Sequence, residues 1–318
     1  MSKAGRVYAG FGGPPEVVVV GATSRDVTAA DPRGWRLGGS VTYCSLAAAR
    51  LRLRVGAVIG LDEPAAGARE LGLLEAAGVA LLRVPLAHGP VFENIEGAGE
   101  GQRTRRQRWL SRADEVPAGT LPRDWREALA WLLVPVAGEV GEEWAAVPGA
   151  GSRVGVGWQG LMRELAQDGW VRATAPRGAA LWRTAGLLCG SMDDLPPGLE
   201  AEGLRAMAPQ AVIVATDGER GGRVLRPSGA AVEYRAVASA RLVDPTGAGD
   251  VFLAALMAAW LRGTEPDRGS ALLFAAAAAS CSIEAVGIEG VPTPAEVGAR
   301  LARAQVPGSA AGSDRSAS

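Results

Sequence analysis

Short apolar runs and helical spacings alternate along this chain. Val17–Val20 is four β-branched residues ending at Gly21. A run that is apolar at every position suits a strand buried on both faces. From Ser40 to Leu51 the Ala and Leu spacing predicts a helix, and Val55–Ile59 predicts the next strand. Pro64–Ala77 reads as a helix closed by Gly78, since a left-handed glycine is a common helix stop. Val79–Val84 follows as a strand. Leu132–Val136, Val154–Val156, Gly186–Cys189 and Ala211–Ala215 read as further strands, each followed by a helix-like segment. The last third predicts helices over Ala248–Arg262, Pro266–Glu284 and Pro294–Ala304. This alternation implies an α/β fold, with a central, mostly parallel sheet and helices on both faces.

One segment departs from that rhythm. Pro90–Leu110 reads as extended pieces around Glu96-Gly-Ala-Gly-Glu-Gly101, a hairpin signal inside an α/β chain. It predicts a small β lid, drawn from about residues 25–37 and 88–112. The glycine-rich stretch 1–15 and the Ala/Gly/Ser stretch 305–318 read as flexible tails around a domain spanning 16–304.

Composition narrows the chemistry. Of 33 Lys+Arg in 318 residues, only Lys3 is lysine, and His88 is the single histidine. A Walker A loop, a protein-kinase strand lysine and a Schiff-base lysine are therefore excluded, as is a zinc site built on two histidines. A histidine-based triad has only His88 to use, and no nucleophile motif stands near it. The formal net charge of −1 gives no basic field for nucleic acid or anionic membrane. No apolar run is long enough to span a bilayer, and the first residues lack a signal-peptide layout. Cys44, Cys189 and Cys281 read as unpaired core residues of a cytoplasmic protein. The arginine-dense stretch Arg103, Arg105, Arg106, Arg108 and Arg112 reads as a charged hairpin edge.

The most informative run is Leu242-Val-Asp-Pro-Thr-Gly-Ala-Gly-Asp-Val-Phe-Leu-Ala-Ala-Leu256. It reads as a short strand ending at Val243, a tight turn, and an apolar helix from about Ala248. Gly247 and Gly249 permit a sharp turn and close approach of a ligand. The first amides of the helix lack intrahelical partners, so they and the helix dipole form an anion site. Asp250, in the first turn, could take a proton from an attacking hydroxyl beside that site. A bare acidic residue at this place could equally serve only the helix N-terminus.

The full string Asp244-Pro-Thr-Gly-Ala-Gly-Asp250 resembles the C-terminal signature of the ribokinase/PfkB carbohydrate-kinase family. Other segments agree in order. Gly21-Ala-Thr-Ser-Arg-Asp26 resembles the place where these kinases carry a substrate-binding aspartate, and Gly38-Gly39 their N-terminal di-glycine. Thr216-Asp-Gly-Glu-Arg-Gly221 resembles the nucleotide-side turn, and Gly287-Ile-Glu-Gly-Val-Pro292 the loop closing the adenine side. The resemblance spans about Val17 to Leu301. It implies a ribokinase-like kinase that uses ATP and magnesium to phosphorylate a small polyol, a sugar or a cyclitol such as inositol. Asp250 would be the base, with Gly247, Ala248 and Gly249 as the anion hole. Asp26, Gly38 and Gly39 would bind the acceptor. Thr216, Gly218, Gly221 and Gly287 would border ATP, and Asp244 and Thr246 would hold a monovalent cation such as potassium. A nucleoside kinase of the same family, or a kinase-like binding protein without turnover, are the alternative readings.

The sequence departs from that pattern in two places. Where the family often has Asn-x-x-Glu, Cys189-Gly-Ser-Met-Asp-Asp194 offers Ser191 and Asp194. Asp194 is a candidate for magnesium through water, or else a helix-capping acid. Tyr43 stands where ribokinases place a sugar-binding asparagine, which is more similar to the inositol-kinase-like branch. Asn94 on the lid, and Gln159 and Arg163 after a strand end, are further candidates for contacts to acceptor hydroxyls or to phosphate. The predicted oligomeric state is a monomer or a homodimer.

Overall fold

The computed structural model describes residues 13–99 and 102–305. The tail expectations for residues 1–12 and 306–318, and the side chains of Arg103 and Arg105, lie outside the described part. Pro15 is buried.

The chain opens with β1 (Val17–Ala22), β2 (Ser24–Val27), β3 (Trp35–Gly38) and α1 (Ser40–Arg50). β4 (Val55–Leu61), α2 (Glu63–Ala66), α3 (Leu71–Ala76) and β5 (Ala80–Pro85) follow, then the hairpin β6 (Val91–Gly99) and β7 (Gln102–Ser111). The middle holds β8 (Ala130–Leu133), β9 (Arg153–Gly157), β10 (Arg163–Leu165), β11 (Val171–Ala173), α4 (Ala179–Thr184) and β12 (Leu187–Ser191). β13 (Val212–Thr216), β14 (Gly222–Leu225) and β15 (Ala231–Tyr234) complete the strands. α5 (Ala248–Leu261), α6 (Gly269–Ser282) and α7 (Pro294–Ala304) end the chain.

Nine strands form one sheet in the order β15-β14-β13-β12-β9-β8-β1-β4-β5. Neighbours from β5 to β13 are parallel, and β14 and β15 add an antiparallel edge. The period-2 alternation of a strand divides the valines of β1 between the faces. Val17 and Val19 enter one core, Val18 and Val20 the other. The first core is covered by α1, α5, α6 and α7. On the second, the helical cover is thin. The segments after β8, β9 and β12 are 3-10 turns or the β10–β11 hairpin, where the sequence pattern predicts longer helices. Trp125, Trp131, Trp144, Trp158 and Trp182 fill that face instead.

Two local expectations need correction. Pro64–Ala77 is broken into α2 and α3. Glu70, at the break, is drawn to the Arg33 guanidinium and lies 3.4 Å from the Leu37 amide, and these contacts outweigh helix continuity. Leu242–Val243 is not a strand. Both residues are exposed, and the Val243 amide bonds Ile283 O at the end of α6. α7 matches its expected bounds because its start is marked by a capping box, Thr293 and Glu296, with Pro294 in the first turn.

The lid is a second sheet, β3-β2-β6-β7. The β10–β11 hairpin clasps its outer strand. Trp109 Nε1 donates to Ala166 O at 2.7 Å and the Trp109 amide to Gly169 O at 3.0 Å. The described arginines of this stretch lie over indoles. Arg106 stacks on Trp170 at 3.8 Å and Arg112 on Trp109 at 4.8 Å.

Candidate active site

The parallel strands of the large sheet end on one side, where α/β proteins bind ligands. A cavity of about 1200 Å³ lies there, between the strand ends, the lid and the start of α5. Asp26, Gly39, Asn94, Gln159, Asp194, Thr216, Gly218, Gly221, Thr246, Gly247, Ala248, Gly249 and Asp250 all line it. The fold thus collects residues from both ends of the sequence. Gly38, Asp244 and Gly287 do not line it and act from behind.

At the start of α5, Gly247 is the N-cap with φ 79°, a left-handed backbone suited to glycine. A Cβ there would overlap the Tyr43 ring. Tyr43, 2% exposed, is the surface against which the turn is pressed. A Cβ on Gly249 would meet nothing within 4 Å, so this glycine leaves open space in front of the first-turn amides. Both oxygens of Asp244 accept backbone amides, from Thr246 at 2.9 Å and Gly287 at 3.0 Å. Asp244 therefore ties the turn to the 287–290 loop.

Asp250 projects from the first turn of α5 beside those amides. Burial pushes its carboxyl up to about 6, opposed by a hydrogen bond from Ser40 and by the positive charge of Arg163, and aided by Asp194 and Asp26. A carboxylate with this value is both ionised at neutral pH and basic enough to accept a proton. Cys44 Sγ donates to Asp250 O at 3.3 Å, which pins the helix start to α1. Burial pushes the thiols of Cys44 and Cys189 up, as expected of core residues, whereas Cys281 is only partly buried.

Asp26 sits on β2, with Ser24 Oγ donating to its Oδ1 at 3.0 Å. Its register partner is Arg36, and Ser24 faces Gly38. The Asp26 carboxylate occupies the space that a Gly38 side chain would need. Gly39, with φ 93°, turns the chain tightly against Ala22 O. The di-glycine therefore shapes the acidic corner, with Gly38 making room for the aspartate.

Arg163 joins the halves of the site. Its guanidinium donates to Gln107 of the lid at 3.2 Å and to Asp194 Oδ1 at 3.4 Å. Gln107 in turn donates to Asn94 at 2.9 Å. Asp194 is thus paired with Arg163, and the local cap is Ser191, which accepts the Asp193 amide. Across the cavity, Thr216 Oγ1 donates to Gly190 O at 3.2 Å. The 218–221 turn needs its glycines: φ is 53° at Gly218 and 97° at Gly221, and a Cβ on Gly221 would strike Tyr234 O. Val237, Leu242, Ala276, Ala279 and Ile283 give this side an apolar wall.

Sequence reasoning missed Ser40, Ser24 and Gln107. Ser40 carried a signal, as the first helical residue after the di-glycine; Gln107 had none before the lid was folded over the sheet.

Parallel-sheet topology with a small β lid over the strand ends defines a ribokinase-like fold. Residues 182–295 match the family model for pfkB family carbohydrate kinase. Known structures share the fold at low identity. A pyrophosphate-dependent kinase of the ribokinase family, complexed with a pyrophosphate analog and myo-inositol, has a TM-score of 0.68 at 18% identity, over 86% of this chain and 98% of that one. Arabidopsis thaliana ribokinase, complexed with ribose and ATP, has a TM-score of 0.65 at 19% identity, over 91% and 99%. A Methanocaldococcus jannaschii nucleoside kinase has a TM-score of 0.65 at 15% identity, over 92% and 100%. No curated protein matches the chain. No described helix is long and apolar enough to cross a membrane.

Proposed function

We propose that this protein transfers the γ-phosphoryl group of ATP to a hydroxyl of a small polyol, a sugar or a cyclitol. The observation that carries the reading is Asp250, held at about 6 beside the glycine turn at the start of α5. The acceptor is held by Asp26 and the lid polar groups Asn94 and Gln107, with Gln159 on the sheet side. Asp250 takes the proton of the attacking hydroxyl as its oxygen bonds phosphorus and the bond to ADP breaks. The amides of the helix N-terminus and the Arg163 guanidinium stabilise charge on the moving group. Arg163 supplies the cation that a lysine-free site otherwise lacks. The lid excludes water that would hydrolyse ATP.

Magnesium neutralises the nucleotide phosphates in such transfers. No group of three or more acidic, His or Cys side chains among the described residues forms a metal cage. The residues fit an ion held mostly by phosphates and water, with Asp194 as the protein carboxylate. Asp244 and Thr246 are the proposed site of a monovalent cation such as potassium. A cytoplasmic setting accords with the free thiols.

The donor reading rests on the apolar wall of Val237, Leu242, Ala279 and Ile283, which suits a nucleobase and has no purpose for pyrophosphate. A donor and acceptor panel tests it. ATP should support phosphorylation of at least one of myo-inositol, ribose and related polyols, and pyrophosphate should not replace it. Turnover with pyrophosphate alone contradicts the donor assignment, and turnover confined to nucleosides contradicts the acceptor class.

The pH profile follows from the ionised base. Activity requires Asp250 without its proton, so kcat/KM should fall below about pH 6, tenfold per pH unit. A flat profile down to two units below that point contradicts the role.

A further inference from the structure

Glu139 takes no part in the transfer, yet it is a carboxylate only 1% exposed. The hydrogen bonds to its side chain come from the backbone. Oε1 accepts the Ala22 and Val136 amides, both at 3.1 Å. Oε2 accepts the Val136 amide at 3.1 Å and the Ala137 amide at 2.8 Å. The carbonyl of Glu139 accepts the Val116 amide at 2.8 Å.

These amides belong to three separate segments. Ala22 ends β1, and four residues later the chain reaches Asp26. Pro135 and Val136 form part of the cavity wall. Val116 lies on the return from the lid, after β7. One residue thus joins the acidic corner, the wall and the lid at the place where lid and large sheet meet. The chemistry of the side chain matters here. Burying a carboxylate is costly and pushes its pKa up, and the backbone donors favour its charged form. Only a group that accepts on both oxygens meets the Ala22, Val136 and Ala137 amides, while the main-chain carbonyl of the same residue holds the Val116 amide. A glutamine would turn an NH2 against at least one of them.

We propose that Glu139 is a positioning residue that holds the Asp26 strand, the Pro135–Val136 wall and the lid return in one fixed relation. It sets the acceptor half of the cavity without touching the acceptor. Only the naming of that half rests on the kinase reading.

Hydrogen–deuterium exchange on the full chain tests this without any ligand. In Glu139→Gln, exchange should quicken about tenfold or more over residues 20–26 and 134–138 as lost straps free their amides, and over 112–118 as the Glu139 main chain that holds the Val116 amide loosens with them. The donor half around Thr216 should keep its wild-type exchange. With ATP and the panel of myo-inositol and ribose, the acceptor KM should rise about tenfold while the ATP KM and kcat stay within about threefold. Glu139→Asp keeps a carboxylate and should restore part of each effect. Unchanged exchange at the 20–26 and 112–118 segments overturns the proposal, as does a loss shared equally by both substrates' KM values. If Glu139→Gln does not fold, Glu139→Asp decides alone: wild-type exchange over all three segments overturns the proposal, and partial loosening of all three supports it. If the wild type phosphorylates neither polyol, the acceptor assignment fails, and the exchange pattern still decides the role of Glu139.

Discussion

Asp250→Asn is expected to lower kcat about 10³- to 10⁴-fold, with acceptor and ATP binding nearly intact. The amide keeps the shape of the carboxylate and its contact with Ser40, but it cannot take the hydroxyl proton. The same substitution should not weaken the fold. Desolvation raises the Asp250 carboxyl from 3.8 to about 6. The folded state therefore binds this proton more tightly than the unfolded state, and stability falls as pH rises through that window. Above it, the buried charge costs about 1–3 kcal/mol, an upper range because the residue is only partly shielded from water. The neutral amide removes that cost, so Tm at neutral pH should rise by a few degrees, while below about pH 4 the two proteins should melt alike. A variant that loses activity and melts well below the wild type at neutral pH contradicts this account of the site.

Gly247→Ala and Gly249→Ala should fail for different reasons. At Gly247 the backbone is left-handed, and an added methyl overlaps the Tyr43 ring. The turn must shift or the ring must leave, at a cost of about 2–4 kcal/mol from the backbone and the overlap together. A displacement of the amides by even an ångström should lower turnover about 10²-fold or more. At Gly249 a methyl meets no neighbour, so stability should change by less than about 1 kcal/mol. Activity should still fall about as far, because the methyl stands where the transferred group must approach the helix. Melting curves and steady-state rates on the two variants separate a turn held by Tyr43 from a surface kept bare for ligand. Equal melting of both variants contradicts the role given to Tyr43.

The site was legible where chemistry demands adjacent residues. The proposed anion hole and base share one helix turn, so Asp244–Asp250 carries them as an unbroken string, and its residues 245–250 line the cavity. The di-glycine was legible as a motif, although not as what Gly38 does, since the Asp26 carboxylate over it belongs to a different strand. Arg163, Gln107 and Glu139 act through partners far away in sequence. Nothing local marks Glu139 as a strap for Ala22. The fold followed the same division. Strands with buried runs were readable from hydrophobic pattern alone. The break between α2 and α3 was not, because it depends on Arg33 reaching Glu70 across the lid boundary. The second face was misread for a related reason. Trp125 and Trp144 fill this face from 3-10 turns, which lack the period that announces a helix.

The most direct measurement is phosphorylated product formed from ATP across the polyol panel, by wild type and by Asp250→Asn, at neutral pH. The account predicts that the wild type phosphorylates at least one polyol and that the variant binds ATP normally but forms that product at least about 10³-fold more slowly. Near-wild-type product formation by Asp250→Asn contradicts the central claim that this carboxylate is the base.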